Sequence, residues 1–210
     1  MPMKPECLRL YLVTDAPERC SLGLAETVRR ALAGGATLVQ YRRERADAAT
    51  MLREAAELRE ITRAAGVPFI VNNDVLLALQ VGADGVHLGQ SDTPVAEARR
   101  LAGAGFIIGI SVSNEREMLA VDARAADYVG CGPVFPTATK SDAAPAVGVE
   151  GWARLSRMSP LPIVAIGGIN AARARELCAA GPCSGVAVVS AICGAADSAA
   201  ASREILTALT

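Results

Sequence analysis

Eight short runs of aliphatic and β-branched residues recur along the chain, each separated from the next by a longer segment of helical character. The runs are LRLYLVTD (8–15), TLVQYR (37–42), PFIVNN (68–73), GVHLG (85–89), FIIGISVS (106–113), YVGCGPVF (128–135), PIVAIGG (162–168) and GVAVVSAI (185–192). They lack the polar/apolar alternation of a half-exposed strand, which suits strands covered on both faces, as parallel strands are when helices pack over them. Successive runs begin 17 to 34 residues apart. Parallel neighbours need a helical crossover, and this spacing accommodates one.

The intervening segments 24–33, 48–65, 95–102, 115–125, 149–158 and 171–179 are rich in Ala, Leu, Glu and Arg, with apolar residues three and four apart. Gly34, Gly35, Gly66, Gly103 and Gly181 supply helix stops. Eight βα units predict a compact (β/α)8 TIM barrel, with residues 1–210 as a single domain. An open doubly wound sheet is the other arrangement of the same units. At 210 residues the chain is short beside the roughly 250 of a common barrel, so insertions have little room. The aromatic content of 3% fits a barrel filled by Val, Ile and Leu.

A formal charge of −1 argues against a basic face gripping nucleic acid, and three Phe, three Tyr and one Trp make a poor stacking platform. No segment reads as a membrane-spanning helix. Near the N-terminus Lys4, Glu6 and Arg9 precede only a short apolar run, unlike a signal peptide, so a cytoplasmic protein is expected. The six cysteines show no CxxC spacing and are expected to be reduced.

A barrel enzyme builds its site at the C-terminal ends of its strands. Those ends carry Gln40, Arg42 and Glu44; Asn72, Asn73 and Asp74; Gln90 and Asp92; Ser111 and Ser113; Thr137, Thr139 and Lys140; Gly167 and Gly168; Val189 and Ser190. Such a rim suggests a polar, charged small-molecule ligand. The connection at 136–149 lacks apolar periodicity, as lids and binding loops do. Its Thr-Ala-Thr-Lys offers two hydroxyls and an ammonium to phosphate oxygens, although a solvated loop has the same composition. The amides at 167–168 and 189–190 fall where this fold often seats a phosphate. Asp92 reads equally as a Mg²⁺ ligand or as the N-cap of the helix that follows it. His87, flanked by apolar residues in its run, reads as structural rather than catalytic.

These residues resemble the thiamine phosphate synthases and their relatives, the thiazole tautomerases. The resemblance rests on Gln40-Tyr-Arg42, PFIVNND around Asn72, VGADGVHLGQSD (81–92), GISVS (109–113), GPVFPTATK (132–140), AIGGI (165–169) and GVAVVSAI (185–192). It implies a transferase that joins hydroxymethylpyrimidine diphosphate to thiazole phosphate, releasing pyrophosphate. Diphosphate leaves the pyrimidine methylene, and the thiazole nitrogen captures the resonance-stabilised cation. By matched position, Gln40, Arg42, Asn72, Ser111 and Lys140 would hold the pyrimidine diphosphate, with Lys140, Ser111 and Arg42 as the catalytic set. Thr137, Thr139, Gly168, Val189 and Ser190 would seat the thiazole phosphate, and Asp92 and Asn73 would hold Mg²⁺. By analogy with other barrels, a homodimer is expected.

Two positions depart from the synthase pattern. Glu44 stands where a Lys is typical and Asn73 where a metal-binding Asp is typical, which leaves the diphosphate pocket one positive charge poorer. A tautomerase would need an acid/base His at the position of Ser113. A non-catalytic phosphate-binding protein is the alternative outside enzymology.

Overall fold

The computed structural model describes residues 3–139 and 144–209. Eight parallel strands close into a barrel in sequence order: β1 (Leu10–Val13), β2 (Leu38–Tyr41), β3 (Phe69–Asn72), β4 (Gly85–Leu88), β5 (Ile107–Val112), β6 (Tyr128–Cys131), β7 (Ile163–Ile166) and β8 (Gly185–Val188). β8 pairs with β1 through Leu10↔Val186 and Leu12↔Val188, which rules out the open sheet. Around the barrel lie α1 (Leu24–Ala33), α2 (Ala48–Ala64), α3 (Val75–Gln80), α4 (Val95–Ala102), α5 (Glu115–Leu119), α6 (Gly148–Met158), α7 (Ala171–Ala180), α8 (Ser190–Cys193) and α9 (Ser198–Ala208).

Each strand is buried on both faces, and alternate residues feed two separate cores. Tyr11, Leu38, Ile70, Ile107, Tyr128, Val164 and Ala187 fill the barrel interior. Leu10, Val39, Phe69, Val86, Ile108, Val129, Ile163 and Val186, one residue out of phase, pack outward against the helices. This is the period-2 geometry of a strand with hydrophobic residues on both sides. A 3-10 turn at Pro5–Leu8 leads into β1, and its Leu8 joins the interior cluster.

The N-terminal end of the barrel repeats one latch four times. Thr37, Asp84, Asp127 and Ser184 each stand just before an even-numbered strand. Each accepts a side-chain hydrogen bond from an amide at the start of the preceding odd strand: Leu10 (2.9 Å), Phe69 (2.8 Å), Ile108 (2.7 Å) and Ile163 (3.2 Å), respectively. The two aspartates are also paired across to helices, Asp84 with Arg59 of α2 at 2.7 Å and Asp127 with Arg99 of α4 at 2.7 Å. Three of these amides belong to the first residue of their strand and Ile108 to the second of β5; at a strand's start the ladder is incomplete, so a side-chain acceptor there satisfies a group that burial would otherwise orphan.

Several boundaries differ from the sequence expectation. The last run ends as a strand at Val188, because Ser190–Cys193 turns into the short α8. α5 stops at Leu119, well before residue 125. α3 and α9 are additional helices, and α9 closes the outer ring against α1, where Gly34 lies so near that a Cβ there would meet the Ala199 carbonyl oxygen at 2.4 Å. All six cysteines are free thiols. No helix among the described residues is long and apolar enough to cross a membrane.

Candidate active site

A cavity of about 730 Å³ opens at the C-terminal ends of the strands. Gln40, Arg42, Asn72, Asn73, Asp92, Ser111, Thr137, Thr139, Gly168, Val189 and Ser190 all line it. The eight strand ends therefore bring together groups scattered over most of the sequence. Lys140 lies outside the described residues.

On one side, β7 and β8 supply backbone. Gly167 and Gly168 adopt φ of 99° and 65°, a left-handed region that favours glycine. A Cβ on Gly167 would come within 2.5 Å of Pro133 Cβ, and one on Gly168 within 2.8 Å of the Pro136 carbonyl oxygen, so the turn packs directly beneath the loop after β6. Arg173 donates to the Gly168 carbonyl and covers the Phe135 ring at 4.4 Å, holding the turn from outside. On the loop after β6 the Thr137 and Thr139 hydroxyls are 3.3 Å apart. The Ser190 amide opens α8 and so has no intrahelical acceptor. Two hydroxyls and amides at helix and turn ends form a suitable cradle for a phosphate.

On the other side, β2, β3 and β4 supply charge. Arg42 forms an ion pair with Glu44 and keeps a side chain only 10% exposed. Arg43 is held by Glu18 at 3.2 Å and Glu54 at 3.6 Å, while Arg45 lines the cavity. Asn73 is the single non-glycine residue with positive φ (64°) among the described residues, and its amide donates to the His87 carbonyl at 2.8 Å. Asn tolerates this left-handed geometry better than most residues. The departure at this position therefore agrees with the local backbone.

Asp92 does not cap α4. The N-cap is Pro94, with no side-chain bond, and the Asp92 carboxylate instead accepts the Gly89 amide at 2.6 Å. That bond folds the loop after β4 over itself and engages one carboxylate oxygen, Oδ2, while Oδ1 has no hydrogen-bond partner among the described residues. No group of three or more His, Cys, Asp or Glu among the described residues could hold a metal alone. One carboxylate and one amide carbonyl suit Mg²⁺, which commonly takes only one or two carboxylates and completes its shell with water and substrate phosphate.

The floor holds what the sequence undervalued. His87 is 9% exposed and lines the cavity, with Nε2 2.9 Å from Ser111 Oγ and Nδ1 2.9 Å from the Tyr128 hydroxyl. Tyr11, which no motif marks, also lines it. The available signal for His87 is the glycines opposite: Gly109 and Gly130, on neighbouring strands, leave the space that the His87 and Tyr128 rings occupy. At Ser113 the amide and hydroxyl are both bound to Glu117, at 2.6 and 2.9 Å.

Fold and site together define a small (β/α)8 barrel with a polar, charged cavity at its mouth. The thiamine monophosphate synthase family model matches residues 10–192, and the chain belongs to that family. It is 49% identical over 197 residues to the thiamine-phosphate synthase of Chloroflexus aurantiacus, covering 94% of this chain and 90% of that one. It is also 49% identical over 198 residues to that of Methanocella arvoryzae, covering 93% and 92%. A solved thiamine phosphate pyrophosphorylase from Pyrococcus furiosus superposes with a TM-score of 0.87 at 39% identity, covering 98% of this chain and 96% of the other.

Proposed function

We propose that this chain catalyses the reaction for which its relatives are named, condensing hydroxymethylpyrimidine diphosphate with thiazole phosphate to give thiamine phosphate and pyrophosphate. The observation that carries this reading is the pairing, in one cavity, of a phosphate cradle at β7 and β8 with a charged cluster at β2 to β4. Each of the two substrates has an end that one of these features fits.

In this reading Gln40, Asn72 and Ser111 hold the pyrimidine, and Arg42 and Lys140 hold its diphosphate. Thr137, Thr139, Gly168, Val189 and Ser190 hold the thiazole phosphate. The methylene carbon–oxygen bond breaks and its electron pair leaves with the diphosphate; the thiazole nitrogen then donates its lone pair to form the new carbon–nitrogen bond. No proton is removed from a carbon, so the site needs no strong base. Its tasks are to balance charge on the leaving group and to align the nucleophile. Mg²⁺, held by Asp92, the Asn73 carbonyl group and the diphosphate itself, would supply part of that charge when bound. A cytoplasmic setting and a homodimer belong to the same reading.

The test is direct. Protein incubated with Mg²⁺ and both substrates is expected to release pyrophosphate and form thiamine phosphate in equal amounts. Binding of thiazole phosphate without turnover, even at high enzyme concentration, overturns the proposal and leaves a phosphate-binding protein.

A further inference from the structure

Under the cavity, five polar side chains from five strands form one unbroken line. Gln40 Nε2 donates to the Tyr11 hydroxyl at 2.5 Å, the Tyr11 and Tyr128 hydroxyls are 2.8 Å apart, Tyr128 Oη is 2.9 Å from His87 Nδ1, and His87 Nε2 is 2.9 Å from Ser111 Oγ. The line starts on β2, passes through β1, β6 and β4, and ends on β5, crossing the barrel interior. A barrel core is usually filled with branched aliphatic side chains, and burying hydroxyls and an imidazole there costs free energy unless each is bonded. Two strand residues are kept small for it. A Cβ at Gly109 would sit 2.2 Å from Tyr128 Cζ and 2.5 Å from His87 Nδ1, and one at Gly130 would sit 3.0 Å from His87 Cε1.

Proton counting gives the line a direction. Burial raises both phenols far above their ordinary range, so each is neutral and carries one proton. Tyr11 accepts from the Gln40 amide nitrogen, which cannot accept in return, so of its two partners only the Tyr128 hydroxyl can take its proton. The Tyr128 proton then goes to His87 Nδ1. A neutral imidazole with Nδ1 accepting carries its proton on Nε2 and donates it to Ser111. The Ser111 proton is thereby left for the cavity, and Gln40, which gives one amide N–H to Tyr11, keeps its carbonyl oxygen as an acceptor.

We propose that His87 is a positioning residue: through Tyr128 and Tyr11 it fixes the hydrogen-bond polarity of the site, so that Ser111 is presented as a donor and Gln40 as an acceptor. A heterocycle with a ring nitrogen and an adjacent amino group needs that pair. The inference rests on the function proposed above and names the aminopyrimidine as the half of the substrate that the relay selects.

The chain contains a single histidine, so tag-free protein labelled with ¹⁵N-histidine gives one imidazole spin system. At pH 7 to 8 it is expected to show the neutral tautomer protonated at Nε2; a tautomer protonated at Nδ1 overturns the proposal. The second measurement is calorimetric binding of hydroxymethylpyrimidine diphosphate and of inorganic pyrophosphate, to the wild type and to Tyr128→Phe and Tyr11→Phe. Pyrimidine diphosphate binding is expected to weaken about tenfold, with pyrophosphate binding unchanged within about twofold. Equal loss of both ligands, or no loss of either, overturns the relay. If the wild type itself binds pyrophosphate but gains nothing from the pyrimidine, the functional reading fails instead.

Discussion

At the scale of single residues, the exchange of a typical Lys for Glu44 has a visible consequence. Glu44 pairs with Arg42, the cation that the proposed function assigns to the diphosphate. An incoming diphosphate must compete with this carboxylate, which is itself 43% exposed and screened by solvent. Glu44→Gln is therefore expected to tighten inorganic pyrophosphate binding roughly threefold at low ionic strength, and the gain should shrink in high salt. Titration calorimetry at two salt concentrations checks this; weaker binding in the variant would mean that the carboxylate supports the ligand rather than opposing it. The rim residues were legible in the sequence because each follows a strand end. His87 was not, because an apolar residue on either side looks the same whether the imidazole points into a core or onto a cavity floor.

At the scale of elements, the four latches at the N-terminal end of the barrel join odd and even strands in pairs. Asp127 is a bridge between β5 and α4, since one carboxylate oxygen accepts both the Ile108 amide and the Arg99 guanidinium. Asp127→Ala leaves both donors without that acceptor and is expected to cost about 1–3 kcal/mol. Urea unfolding measures it, and a cost below about 0.5 kcal/mol would show the latch to be redundant. The helix ends add a pH dependence. Asp197 caps α9, and hydrogen bonds from the Ala200 and Ala199 amides hold its carboxyl below the ordinary range; Asp47 caps α2 likewise through the Thr50 amide. A depressed carboxyl stabilises the fold above its unfolded value of 3.8 and loses that contribution as pH falls through the lower folded value. Asp197→Asn keeps a capping oxygen that does not titrate. Thermal melts between pH 5 and 2.5 should thus show a shallower acid decline in the variant, and parallel declines would refute the assignment. Helices with strong periodicity were readable in advance. α8 was not, since its four residues continue the apolar run of β8 and only barrel closure bends them away.

At the scale of the whole molecule, the two halves of the cavity lie at opposite arcs of one ring of strand ends. Pyrophosphate at β2 to β4 and thiazole phosphate at β7 and β8 should therefore bind together. Each ligand at a hundredfold excess over its Kd contributes about 2.7 kcal/mol, or roughly 5–10 °C for a chain of this size. Melts with both ligands present should be raised over the ligand-free protein by nearly the sum of the separate shifts; a shift no larger than that of the better single ligand would place both in one subsite. The sequence by itself determined the eight βα units, the parallel sheet and the motifs at the strand ends, because hydrophobic periodicity and turn chemistry are local. Only the tertiary structure decided that β8 returns to β1, that Asp92 folds its own loop instead of capping α4, and that Gln40, Tyr11, Tyr128, His87 and Ser111 form one line. Those outcomes depend on which side chains face inward at the same level of a closed barrel. That property arises from strand register and closure among segments far apart in the chain, such as Tyr11 and Tyr128, 117 residues from each other, and no local pattern carries it.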